Sequence, residues 1–378
     1  MATSSRSSAR HTRRAALRAG LAAAVGAPAF ARTARQAAAR ELPADGVRAA
    51  YLNPLALNDA GIRALLDLID ATELNAVVVD VKEDGIYVPT AVTLFKESGE
   101  VDAGVLDVDA LLAETATRGI WSIARVVTFR DAYLAANRPD LAVLDAETGG
   151  PWLSYDGLAW LNPFKQETWE ATAAFATELA ERGFDEIQFD YVRFPSDGDL
   201  ALMDFGLPVD ETLRSDTIAA FLGFCRERLA PLDVVTAADI FGYTLLLDDI
   251  GIGQNVAKMA DNADVLCPMV YPSHFPEGSV LVPGHPNDFP ADTITISLQA
   301  GAERIDPARL RPWLQDFSLA GMSDYGPAEV RAQIDATEAN GAGGWMLWSA
   351  DSVFTAAALA PAPAAAAAAN ALARTAPA

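Results

Sequence analysis

The chemistry available to this 378-residue chain gathers where apolar, β-branched runs stop. LNAVVVDV leads to Asp80 and Lys82. A run over residues 120–127 contains Arg125, FDEIQFDYVRFP carries Gln188, Asp190 and Arg193, and DVVTAADIF reaches Asp239. DVLCPMVY ends at Tyr271 with His274 close by, PWLQDF carries Gln315 and Asp316, and GWMLW ends at Trp348. An acid in an apolar strand suffers desolvation unless it is paired or used. One such acid suits a helix cap or a structural ion pair. Three acids and three bases in equivalent positions point instead to a site. Two carboxylates beside aromatic walls are the equipment for cleaving a glycosidic bond. One, protonated, donates to the leaving oxygen, and the other attacks the sugar carbon or activates water.

These residues need elements that bring them together. Strand-like patterns at 47–52, 74–81, 120–127, 184–192, 233–241, 264–271, 312–317 and 344–348 alternate with helical patterns. The helical patterns lie at 59–71, 109–118, 168–182, 212–229 and 327–340, with a short helix before the sixth strand. Eight strands alternating with helices predict an α/β fold, the (β/α)8 TIM barrel. A doubly wound sheet fits worse, because neither GxGxxG nor GxxxxGK[ST] follows any strand. In a barrel the C-terminal strand ends share one rim, which places Asp80, Lys82, Arg125, Gln188, Asp190, Arg193, Asp239, Tyr271, His274 and Trp348 together. Alternation along FDEIQFDYV turns Glu186, Gln188 and Asp190 inward and Ile187, Phe189 and Tyr191 toward the helices. The long connection 128–165 adds Trp152, Tyr155, Asp156, Trp160 and Asn162, suited to stacking on sugar faces and binding hydroxyls.

FDEIQFDYVRFPSDG at 184–198 resembles the signature of a bacterial glycoside hydrolase domain family of barrel fold, distantly similar to alpha-amylase-like and alpha-galactosidase-like enzymes. ELNAVVVDVKEDG, WLNPF, CPMVYPSHF, PWLQDF and GGWMLWSA continue the match in order across residues 46–355. The resemblance implies a nucleophilic Asp at the end of strand four, an acid/base carboxylate at the end of strand five or six, and a further one on strand seven. Those positions match Asp190, Asp239 and Asp316. Where amylase-like enzymes commonly carry Glu on strand five, this chain has Asp.

The first 31 residues hold five Arg, including Arg13-Arg14, and no acid. An Ala/Gly-rich run then leads to Ala29-Phe30-Ala31, which reads as a twin-arginine export signal cleaved before Arg32. Residues 46–355 form the barrel, and the Ala/Pro-rich stretch 356–378 reads as a disordered tail. Export predicts an extracellular, periplasmic or envelope-associated protein with no stable membrane insertion once the signal is removed. The net charge of −23, from 28 basic and 51 acidic residues, argues against nucleic acid as a partner. The expected partner is a carbohydrate, with no cofactor and no metal. Two Cys and three His, one of them in the leader, leave little for a zinc site. A secreted glycoside hydrolase is therefore the leading reading. The alternatives are a non-catalytic carbohydrate-binding or cell-wall-associated barrel and a metal-dependent hydrolase.

Overall fold

The computed structural model describes residues 42–362. Eight strands, β1 (Val47–Leu52), β2 (Ala76–Lys82), β3 (Trp121–Val127), β4 (Glu186–Asp190), β5 (Val235–Phe241), β6 (Val265–Met269), β7 (Trp313–Gln315) and β8 (Gly344–Trp348), are mutually parallel and close into a barrel in sequential order. Helices follow strands one through seven: α1 (Asp59–Ala71), α2 (Val108–Arg118), α3 (Gln166–Arg182), α4 (Glu211–Leu229), α5 (Val256–Ala260), α6 (Pro290–Ala302) and α7 (Pro327–Ala339). This is the (β/α)8 barrel expected from the alternation of patterns.

Helix starts carry local signals. The side chains of Asn58, Asp107 and Asp210 accept backbone N–H groups at the starts of α1, α2 and α4. Gly119 and Gly183 close α2 and α3 in the left-handed conformation. Helix α6 has no counterpart among the sequence patterns. PADTITISLQAGA is rich in β-branched residues, which favour strand. Packing prevails, because Thr293, Ile294, Ser297, Leu298 and Gly301 form one buried face.

Apolar residues form two layers. Outward strand positions such as Val79, Val126, Phe189 and Ile240 pack with helix residues such as Leu66, Leu112, Phe175 and Phe221. Inside the barrel lie Val47, Ala49, Ala76, Val78, Ile123, Ala237, Cys267 and Met346. Both cysteines are buried and free. The seam closes where Val47 of β1 pairs with Gly344 of β8. Gly344 has φ +131°, and a Cβ there would stand 2.0 Å from the carbonyl oxygen of Val47.

The proposed signal, 1–31, lies outside the described residues. The tail expectation changes at its start. Residues 356–362 pack on the barrel: Ala358 is buried, Pro361 bridges Thr72, and the amide of Ala360 donates to Glu73 at 2.8 Å. Among the described residues, no helix is long and apolar enough to cross a membrane.

Candidate active site

The inward column of β4 climbs from structure to site. At the bottom, Glu186 accepts Arg311 at 2.7 Å and the Trp121 indole at 3.2 Å. In the middle, Gln188 donates to Asp239 Oδ1 at 2.7 Å, and the Trp313 indole donates to the same oxygen at 2.8 Å. At the top, Asp190 accepts Arg125 Nε at 2.9 Å and Nη2 at 2.6 Å, both on Oδ2. The sequence places these three residues inward; Glu186 and Asp190 each have a cation that makes burial tolerable, and Gln188 donates to Asp239 while its Oε1 is left without a partner among the described residues.

A cavity of 430 Å³ opens above Asp190. Of the sequence-derived candidates, Arg125, Asp190, Arg193, Tyr271, His274 and Trp348 line it. Tyr51, Glu83, Tyr191, Phe241, Tyr243, Met269, Phe275 and Trp313 complete most of its wall. The rings interlock: Tyr271 lies 5.8 Å from Trp348 and 5.7 Å from Phe317, and Phe317 meets Trp348 edge-on at 5.2 Å. Apolar walls with a few convergent polar groups are the usual build of a small-molecule site.

Glu83, just beyond β2, is the acid that sequence reasoning missed. It pairs with Arg125 Nη1, as Asp80 does at 2.6 Å. Asp80 also accepts the Tyr51 hydroxyl and is buried. Burial pushes the Asp80 carboxyl well above the ordinary range despite Arg125. At Glu83 burial acts in the same direction but is outweighed by Arg125 and by the hydrogen bond with Asp80, so its pKa is lowered. Within the pair the shifts favour a proton on Asp80 over one on Glu83. The signal for Glu83 is the acid-rich turn KEDG directly after the strand.

Several expected site residues lie elsewhere. The pairing of β2 with β3 shifts register between Asp80 and Lys82. A bulge of this kind reverses the facing of the residues beyond it. Lys82 is directed away from the cavity into a buried cluster, with Asp131 at 2.8 Å and Glu100 at 2.9 Å. Asp316 accepts the Thr355 amide at 2.9 Å and hydroxyl at 2.6 Å, tying down the segment after β8, and does not line the cavity. Trp160 is 1% exposed and serves as a wall behind Tyr191 and Arg193. Asn162 is buried, donating to Phe205 O at 3.2 Å and accepting the Phe164 amide at 3.0 Å. Gln188 lies below the cavity. So does Asp239, which has no exposed surface and whose Oδ2 has no hydrogen-bond partner. Burial, reinforced by Asp190 and only partly offset by Arg125, pushes the Asp239 carboxyl well above the ordinary carboxylate range. Simple alternation turns Tyr191 toward the helices, and the structure does not. Its φ of +47° ends the strand at Asp190 and turns its ring into the cavity.

Gln254 is a buried staple without a sequence signal. Its Oε1 accepts the Phe241 amide at 2.8 Å, and its Nε2 donates to Asp239 O at 3.1 Å and Val192 O at 3.4 Å. It ties the ends of β4 and β5 together beneath the site.

A closed parallel barrel whose C-terminal mouth holds paired acids among aromatic rings is the architecture of a sugar-processing enzyme. Residues 49–354 match the model of the family described as "Putative glycosyl hydrolase domain", and the chain belongs to that family. No curated protein matches it. Among solved structures, the PgaB (BpsB) glycoside hydrolase domain from Bordetella bronchiseptica is similar, at 14% identity and a TM-score of 0.62, over 82% of this chain and 95% of that one. The spore cortex-lytic enzyme SleL of Bacillus megaterium QM B1551 is similar at 10% identity and a TM-score of 0.51, over 82% and 72% of the two chains. A hypothetical protein from Ruminiclostridium thermocellum ATCC 27405 shares 34% identity over 50% of this chain and 96% of its own, with a TM-score of 0.45. At these identities the first two likenesses concern the fold alone.

Proposed function

We propose that this protein is an exported glycoside hydrolase that cleaves O-glycosidic bonds of a poly- or oligosaccharide, with Asp190 as its nucleophile or base. The observation that carries this reading is the pairing of two cavity-lining carboxylates, Asp190 and Glu83, on one guanidinium, that of Arg125. Asp190 is fixed by the side-on grip of Arg125, so its carboxyl is held in one orientation toward a bound sugar. Glu83, rather than Asp239 or Asp316, is the acid/base partner, because a proton donor must be within reach of the leaving oxygen. A proton shared by the Asp80–Glu83 pair reaches the glycosidic oxygen through Glu83, while Arg125 and the Tyr51 hydroxyl compensate the charge left on the two carboxylates. Tyr271 and Trp348 offer ring faces to the sugar.

The test is hydrolysis of a polysaccharide panel by the wild type and by Asp190→Asn. Cleavage that disappears in the variant, with an unchanged melting curve, supports the reading. Cleavage by both removes Asp190 from the chemistry, and sugar binding without cleavage by either favours a non-catalytic carbohydrate-binding barrel. Export rests on the Arg13-Arg14 pair and Ala29-Phe30-Ala31. N-terminal sequencing of protein recovered outside the cytoplasm should begin near Arg32, and an intact Met1 on cytoplasmic protein would reject the signal.

A further inference from the structure

Arg193 differs from the other cation of the site. Arg125 hydrogen-bonds to three acids, Asp80, Glu83 and Asp190. Arg193 is 5% exposed and forms no ion pair among the described residues. Its Nη1 donates to Phe194 O at 3.0 Å and to Ser196 Oγ at 3.2 Å. Nε and Nη2 have no protein acceptor among the described residues, yet neither is sealed off, and the residue lines the cavity. Three rings crowd the guanidinium: Phe241 at 4.6 Å, Trp160 at 4.7 Å and Tyr191 at 5.0 Å. Aromatic faces soften the burial of a cation but do not replace an anion. The edge left open is the Nε–Nη2 side. Its parallel N–H groups match the two oxygens of a carboxylate; Arg125 presents the same edge to Asp190, there with both N–H groups on one oxygen.

We infer that the substrate is an acidic glycan and that Arg193 receives the carboxylate of a uronic acid unit in the same cavity as Asp190. This rests on the glycosidase reading for the reaction but not for the recognition. Sulfate esters share the oxyanion chemistry, and the planar two-oxygen match favours the carboxylate.

The experiment is calorimetric binding to the full chain carrying Asp190→Asn, so that bound sugar stays intact. The probes are oligogalacturonate, oligoglucuronate and oligomannuronate, each beside its carboxyl-reduced counterpart, plus one sulfated neutral oligosaccharide. At least one uronate should bind roughly tenfold or more tighter than its reduced form. Adding Arg193→Gln should bring that ratio close to one. Arg193→Lys, which keeps the charge and loses the fork, should fall between. If Arg193→Gln does not fold, the lysine variant and the parent decide. Equal binding within every pair, no binding of any uronate, a preference for the sulfated sugar alone, or a ratio that survives loss of Arg193 would overturn the inference. Hydrolysis by the wild type is scored separately. Selective uronate binding with no cleavage removes the hydrolase reading and leaves this one standing. Cleavage of neutral glycans without acid-sugar preference does the reverse.

Discussion

Arg125 and Asp190 meet side-on, with two guanidinium N–H groups converging on a single carboxylate oxygen at 2.9 and 2.6 Å. Arg125 stands on β3 opposite Gln188, one inward position below Asp190 on β4, and reaches upward to it. The remaining Nη1 is occupied by Asp80 and Glu83. One cation therefore sets the positions of both acids that open into the cavity.

That arrangement separates the roles of the carboxylates. Asp190→Asn should lower kcat by roughly three orders of magnitude or more, with the fold intact. Glu83→Gln should lower it by roughly 10²–10⁴. Asp239→Asn keeps an acceptor for Gln188 and Trp313 and should stay within about tenfold of the wild type. Steady-state kinetics on one cleaved substrate decide, and a dead Asp239→Asn beside an active Glu83→Gln would return the acid/base role to Asp239.

The two tryptophans should part company. Trp160 is enclosed, so Trp160→Ala should destabilise the protein by roughly 3–5 kcal/mol. Trp348 is half-buried at the cavity wall, and Trp348→Ala should chiefly raise KM. Denaturant melts and kinetics on both variants check this. A stable Trp160→Ala with a raised KM would restore Trp160 to the substrate.

Lys82 compensates two buried acids. Lys82→Met should cost about 3–5 kcal/mol by leaving Glu100 and Asp131 without their cation. KM on the folded fraction should not move. A raised KM with unchanged stability would place Lys82 on the sugar after all.

Glu100 in the same cluster gives a pH signature. Burial, only partly offset by Lys82, pushes its carboxyl from 4.5 up to about 7. Between these values the unfolded chain has released a proton that the folded chain keeps, so stability falls as pH rises through the window. Glu100→Gln should flatten this slope. Melting temperatures between pH 4.5 and 7.5 are the measurement, and parallel slopes in the two proteins would contradict the assignment.

The barrel was legible because the strands read as short apolar runs separated by amphipathic helices. The limits of β1, α1 and β8 agree with the patterns to the residue. The inward facing was legible where simple alternation continues, as at Gln188 and Asp190. It was not legible where the backbone leaves that period. A register shift after Asp80 sends Lys82 outward, leaving Glu83 on the rim, and a positive φ at Tyr191 turns its ring inward. Neither residue type announces such a change. Trp160 and Asn162 misled for another reason: a long loop rich in aromatics also suits an excursion with its own core. Asp316 has the composition of a site residue, but Thr355, distant in sequence, claims its carboxylate.

The seam between Val47 and Gly344 has a consequence for how the chain comes to be made. The barrel's first strand gains its second neighbour only when the barrel's last strand has been synthesised. Until then the growing sheet carries two open edges, each a template for pairing with another chain, and closing it awaits a contact of very high sequence separation. A chain cut short before residue 344 keeps those edges permanently. It should aggregate rather than persist as a smaller stable unit.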